Sequence, residues 1–255
     1  MTPIPLLRPA WPAPPGVCAA MSLRDGGVSA APWHSLNLGL AVGDDAAAVA
    51  HNRARFAQAL GARPVWLRQV HGTRVLQLGG QHAEPPDEAA DAAWTREPGI
   101  ACTVQVADCL PVLFATRDGL AVAAAHAGWR GLAAGVLEAT LQALQRGVGA
   151  RPRDIVAWLG PCIGPQQFEV GADVLAAFGH GPQDAAAAGF VARARPDGSA
   201  RWLADLQVLA RRRLEAAGVW LVSAEPACTA LDSSRFFSFR RDGVTGRHAA
   251  AIWRT

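Results

Sequence analysis

Two apolar runs separated by polar breaks dominate residues 102–132. The first gives way at Asp108-Cys109-Leu110-Pro111; the second, residues 120–125, ends on His126-Ala127-Gly128-Trp129-Arg130-Gly131. Short apolar runs bounded by Gly and Pro predict core strands. Cys109 and His126 then fall at strand ends, where a scaffold can hold polar groups at the rim of a sheet. Upstream, residues 17–23 predict a first strand. Residues 65–70 predict another that delivers His71-Gly72, with 74–78 as its neighbour. Residues 91–95 begin a further element, and Pro98-Gly99 turns the chain into the central stretch. Downstream, residues 154–159, 219–223, 236–240 and 247–253 predict strands, with Asp242-Gly243 as a tight-turn signal.

Helical spacing appears elsewhere. Val49, Arg53, Phe56 and Leu60 share one face of a helix that Asp44 or Asp45 caps by accepting from exposed amides, and Gly61 ends it. After Gly131, a stripe of Ala133, Leu137, Leu141 and Leu144 predicts a helix followed by Gly147. A short helix follows Glu169-Val170-Gly171 up to Phe178, and residues 202–217 predict an amphipathic helix stopped by Gly218. Residues 24–29, 31–43, 79–90 and 179–189 predict turns and loops, the last of them mobile. Neither an internal repeat nor a dividing linker is evident, which implies one domain over 1–255 with a poorly ordered, proline-rich segment at 1–15.

Composition narrows the function classes. The 255 residues are 51% hydrophobic, enough for a sizeable core, yet no apolar run reaches the roughly 20 residues of a membrane span. The first 16 residues are too rich in Pro and too poor in early positive charge for a signal peptide, so a cytoplasmic address is expected. All 24 basic residues are Arg, which removes Schiff-base and P-loop lysine chemistry. A net charge of +3 is too mild to argue for nucleic acid, and Arg211-Arg212-Arg213 reads as a solvated helix face. Five cysteines without a CxxC pair argue against a disulfide framework.

The chemistry concentrates on His71, Cys109 and His126, each closing an apolar strand beside Gly or Pro. Thiolate sulfur and imidazole nitrogen suit zinc or copper, or a Cys-His nucleophile pair; a structural cysteine and a hydrogen-bonded histidine are the bland alternative. Three ligands with a fourth position open describe a catalytic rather than a structural zinc site. The helix after His126 points backbone amides at this region, an arrangement that suits an anion.

Several segments recur in the order of a known family. They are Arg24-x-Gly26-Gly27-Val28-Ser29, Ser35-Leu36-Asn37-Leu38-Gly39, Val42-Gly43-Asp44-Asp45, Gln69-Val70-His71-Gly72 and Ala107-Asp108-Cys109-Leu110-Pro111. His126-Ala127-Gly128-Trp129-Arg130-Gly131, Leu159-Gly160-Pro161-x-Ile163-Gly164-Pro165 and Phe236-Phe237-Ser238-x-Arg240-Arg241-Asp242-Gly243 complete the set. On these the chain resembles the YfiH-like family, laccase-domain or polyphenol-oxidase-like proteins also described as purine nucleoside phosphorylases. The resemblance implies an α/β fold, a layered sandwich of mixed β-sheets flanked by helices. It implies Zn2+, alternatively Cu2+, on His71, Cys109 and His126. It further implies phosphorolysis of adenosine, inosine and methylthioadenosine, and deamination of adenosine, with purine nucleosides and phosphate as partners.

Within that reading Cys109 and His126 act at the centre, and Asp108 relays a proton or orients a ligand. Arg24, Arg130 and the amides opening the next helix would cradle phosphate, while Asn37 offers donor and acceptor to ribose or base. Two other enzyme readings stand beside it. One is a Cys-His hydrolase or amidase acting on cell-wall precursors, with Cys109 as nucleophile and His126 as base. The other is copper-dependent phenol oxidation, which lacks an evident axial Met since only Met1 and Met21 occur. A non-catalytic binding protein is a fourth. Cys162 and Cys228 are expected to be passive. Gln166-Gln167, Val106, Trp33 and Phe239 depart from the family pattern, and the lost hydroxyls bear on substrate preference.

Overall fold

A computed structural model describes residues 3–79, 88–183 and 189–255. In chain order the first elements are β1 (Leu6–Leu7), β2 (Val17–Ser22), α1 (Ala46–Leu60), β3 (Arg63–Trp66), β4 (Val75–Gln77) and β5 (Ala92–Thr95). The central stretch forms β6 (Ile100–Val106), β7 (Leu110–Thr116), β8 (Val122–Ala127), α2 (Trp129–Ala134) and α3 (Val136–Val148). Then come β9 (Ile155–Leu159), β10 (Glu169–Val170), α4 (Ala172–Ala177), β11 (Phe190–Ala194) and β12 (Ala200–Ala204). The last are α5 (Leu206–Ala216), β13 (Leu221–Ala224), α6 (Phe239–Asp242) and β14 (His248–Arg254).

The strands form a five-stranded sheet ordered β1-β2-β14-β6-β3, a six-stranded sheet ordered β13-β9-β7-β8-β5-β4, and a small sheet β10-β12-β11. The period of two along a strand explains the layering. In β8, Val122 and Ala124 share a core with Met21, Val65, Cys102, Val104 and Ile252 of the five-stranded sheet. Ala123, Ala125 and Ala127 face the other way, toward Leu137, Leu141 and Leu144 of α3 and Leu209 of α5. In β14, Ala250 and Ile252 join the core between the sheets, whereas Ala249, Ala251 and Trp253 pack on the side of Phe56 and Leu60 of α1. The result is helix, sheet, sheet, helix, the layered sandwich of mixed sheets that the family resemblance implies. Strands covered on both faces must be apolar throughout, which is why β7, β8 and β9 are buried at every position. Each large side chain sealed here, Phe114 for example, contributes roughly 1.5–3 kcal/mol.

Several elements differ from the sequence expectation. The strands on either side of His71 are not neighbours: β3 pairs with β6 in one sheet and β4 with β5 in the other. The helix after His126 starts at Trp129 and breaks at Gly135 (φ 100°), giving α2 and α3. Gly147 lies inside α3, where a Cβ would sit 2.1 Å from the Trp94 ring; Gly149 (φ 69°) provides the stop. Trp202 belongs to β12, and α5 begins only at Leu206, capped by Asp205 accepting from Gln207 and Val208. Residues 236–240 form no strand: Phe236 and Phe237 are buried, and Ser238 caps α6, which Gly243 ends without a hairpin. The N-terminal segment expected to be poorly ordered supplies β1, paired with β2, and a buried Ile4. Asp45 caps α1 and Gly61 ends it, as predicted. Residues 80–87 and 184–188 of the two expected loops lie outside the described residues. Among those described, no helix is long and apolar enough to cross a membrane.

Candidate metal centre

After β3 the chain is held against β6 by one side chain. The Gln69 amide donates to the Gln105 carbonyl (2.8 Å) and accepts from the Gln105 N–H (2.7 Å), extending the ladder beyond the last strand residue. His71 follows in a left-handed conformation (φ 60°), so it sits on a turn rather than at a strand end. Cys109 lies in the short connection between β6 and β7, behind Asp108, which is also left-handed (φ 86°). His126 is in β8 itself, paired in register with Pro111.

The ligand atoms of His71, Cys109 and His126 all lie within 4.8 Å of one another. Cys109 Sγ is 3.8 Å from His71 Nε2, and the two imidazole rings meet edge to face at 4.8 Å. Ordinary Zn–S and Zn–N bonds at a tetrahedral angle would set sulfur and nitrogen about 3.6 Å apart, so the donors fit such an ion with little adjustment. Gly128 completes the fit. A Cβ there would come within 2.8 Å of the His71 ring and 2.9 Å of Cys109 Sγ, so only glycine lets the three donors close in.

A residue that the sequence reading placed only at the start of an element organises this group. The buried Asp91 carboxylate accepts from the backbone N–H of Val70 (3.1 Å), His71 (2.8 Å) and Gly72 (2.7 Å), and bonds His126 Nδ1 at 2.8 Å. Its own carbonyl accepts from the His126 N–H at 2.7 Å. Fixing Nδ1 leaves His126 Nε2 for the ion. Burial would raise the Asp91 pKa, but His126 and the amides around Gly72 hold it below the usual value. Burial likewise pushes the Cys109 thiol up, yet His126 and His71 beside it bring it down to about 6. His126 would be lowered by burial; the Cys109 thiolate and Asp91 raise it to about 9. Both shifts favour the Cys109 thiolate, the form in which sulfur can take a metal.

A cleft of about 650 Å³ opens over the three donors, lined among others by Leu40, Arg53, Arg68, Phe239 and Arg247. Arg24, Asn37, Asp108 and Arg130 do not line it. Arg24 donates to the carbonyls of His34 (2.9 Å) and Ser233 (3.2 Å). The buried Asn37 amide donates to Gly39 and Asp44 and accepts from the N–H of Gly39 and Arg247, tying loops together. Asp108 accepts from Thr229 Oγ1 (2.6 Å), Ser238 Oγ (3.0 Å) and the Arg240 N–H (2.6 Å). Arg130 is exposed, its guanidinium 4.2 Å from the centre of the Trp129 ring. Cys162 is buried, and Cys228 Sγ accepts from the Gly164 N–H.

Residues 18–255 match the family described as multi-copper polyphenol oxidoreductase laccase. The chain is 50% identical over 248 residues to a purine nucleoside phosphorylase of Pseudomonas aeruginosa, covering 97% of each. It is 48% identical to the purine nucleoside phosphorylase YfiH of Escherichia coli, over 97% of this chain and 98% of that one. Among solved structures, a Neisseria meningitidis protein of the same architecture superposes with a TM-score of 0.87 at 45% identity, covering 98% of both chains.

Proposed function

We propose, for a chain that belongs to the multi-copper polyphenol oxidoreductase laccase family, that it is a metal-dependent purine nucleoside phosphorylase. The observation that carries this reading is the convergence of His71, Cys109 and His126 under a cleft, in a chain whose full-length relatives carry that name. The three residues would hold Zn2+, with Cu2+ as the alternative, and the ion would supply Lewis acidity at one open position. The rest is work for the chain's own groups. Asp91 sets the tautomer of His126 and the loop of His71. Leu40, Val42 and Phe239 give the cleft apolar surface against which a flat base packs. In phosphorolysis a phosphate oxygen bonds to ribose C1′ as the bond from C1′ to the purine breaks; the electron pair leaves with the base, which takes up a proton. Adenosine, inosine and methylthioadenosine are the proposed substrates, with deamination of adenosine a second reaction at the same centre.

The test is chromatography of inosine and adenosine incubated with metal-replete protein, with and without phosphate. Free base and ribose 1-phosphate should form only with phosphate, and a chelator should stop turnover until metal is restored. Metal-replete protein that converts no nucleoside would overturn the reading.

A second reading has its own support. Cys109, His126 and Asp91 stand in the order nucleophile, base, orienting carboxylate, as a Cys-His hydrolase or amidase for cell-wall precursors requires. Cys109→Ser separates the two. Under the metal reading it abolishes metal retention and turnover together, since a hydroxyl is a far poorer zinc ligand than thiolate. Metal retained at full occupancy with activity gone would favour the hydrolase. Polyphenol oxidation by several coppers has less support, because the described residues hold one such His/Cys group.

A further inference from the structure

Arg247, the residue before β14, reaches into the cleft that contains His71, Cys109 and His126. Its path is fixed at both ends. The stem crosses Gly39 so closely that a Cβ there would lie 2.7 Å from Arg247 Cγ. At the tip, Nη1 donates to the carbonyls of Thr245 (3.0 Å) and Gly246 (3.1 Å), and the guanidinium stands 5.7 Å from the centre of the Phe239 ring. These contacts occupy one nitrogen of a five-donor fork and orient the others without neutralising the charge.

Charge balance is what singles this residue out. Among the described residues no carboxylate makes an ion pair with Arg247, and no Asp or Glu lines the cleft, whereas Arg53 and Arg68 line it too. Arg53 is stacked 4.1 Å over the Trp66 ring with Nε bonded to the Leu38 carbonyl, another guanidinium with a set direction. Burial lowers the pKa of Arg247, and the Cys109 thiolate and the Asp108 carboxylate nearby offset that only in part. A pre-oriented, partly desolvated guanidinium facing a cleft is the protein half of an oxyanion site, and its planar fork matches phosphate in particular.

We propose that Arg247, with Arg53 and Arg68 beside it, forms the subsite that binds inorganic phosphate in the cleft. This rests on the phosphorylase reading, which gives phosphate a reason to be there. It moves the anion site from Arg24 and Arg130, which do not line the cleft, to the wall shared with Cys109.

The experiment compares metal-replete wild type with Arg247→Lys and Arg247→Met, whose stems keep the packing against Gly39. Inosine cleavage is measured against inorganic phosphate and against inosine separately. The KM for phosphate should rise roughly 10- to 100-fold in Arg247→Met, the usual cost of losing a charged hydrogen bond, and less in Arg247→Lys, while the KM for inosine changes little. In parallel, calorimetry measures binding of phosphate to each protein without nucleoside, and circular dichroism confirms that each is folded. A folded Arg247→Met protein with wild-type phosphate KM or wild-type phosphate affinity overturns the proposal. So does a wild type that binds no phosphate. If the wild type binds phosphate and Arg247→Met does not, yet neither cleaves inosine, the subsite stands and the phosphorylase reading falls.

Discussion

Asp91 bonds both histidines of the centre at once, one through its ring and the other through its backbone. Asp91→Asn keeps the size but removes the charge and one acceptor, so the His71 turn and the His126 tautomer both loosen. We expect metal affinity to fall about 10- to 100-fold, read by competition with a chromophoric chelator. Affinity unchanged from wild type would show that the ligands hold their positions without it. The residue was invisible in the sequence as a site member because His71 lies 20 positions away and His126 35. The available hint was a carboxylate entering an apolar strand with no turn to serve. Cys109 gives a second test. Its pKa is lowered, so the thiolate persists down to about pH 6 and is lost as pH falls through that value. In metal-free protein the rate of iodoacetamide labelling should therefore rise through about pH 6, well below the ordinary cysteine value of about 8.5. A midpoint near 8.5 would mean that the histidines do not hold the thiolate.

At the scale of elements, the apolar runs were legible as strands in β6, β8 and β9, whose faces are both covered, whereas β7 (Leu110–Thr116) was hidden behind the polar break that precedes it. They misled where burial came without a ladder, as at Phe236 and Phe237, and where a strand begins just ahead of a helix, as Trp202 does. Gly147 illustrates the competition between local and tertiary rules. Replacing a mid-helix glycine by alanine ordinarily gains about 1 kcal/mol. Here the new methyl would meet the buried Trp94 ring at 2.1 Å, an overlap that the ring, the helix or β5 must shift to relieve. Overpacking of that kind costs about 1–3 kcal/mol, so Gly147→Ala should lower the urea midpoint with an unchanged m-value. A raised midpoint would mean that Trp94 simply swings aside. Turnover per folded molecule should stay at the wild-type level, since α3 contributes nothing to the cleft lining.

Over the whole molecule, the layered architecture and the convergence of His71, Cys109 and His126 could be expected from motif order, while the walls of the cleft could not. Its lining draws on residues 39–42, 53, 66–69, 71, 105–107, 109, 126, 239 and 247, a set that only the closed topology assembles. For the same reason the expected anion residues missed the cleft: Arg130 neighbours a ligand in sequence, but α2 turns its side chain onto Trp129. The donors are also distributed between the two large sheets. His71 leaves the edge strand of one, His126 belongs to the other, and Cys109 sits where the chain passes between them. An ion at this point would act as a rivet between two plates that are otherwise joined at that rim by apolar contact and by the hydrogen bonds of Asp91 to the amides of residues 70–72. Amide exchange in residues 67–72 and at the start of β7 should accelerate when metal is stripped, while the centres of β7 and β8 keep their protection. Equal exchange in both forms would mean that the rim is already stiff without its fastener. The centre would thus set the mechanical compliance of the seam as well as the chemistry performed above it.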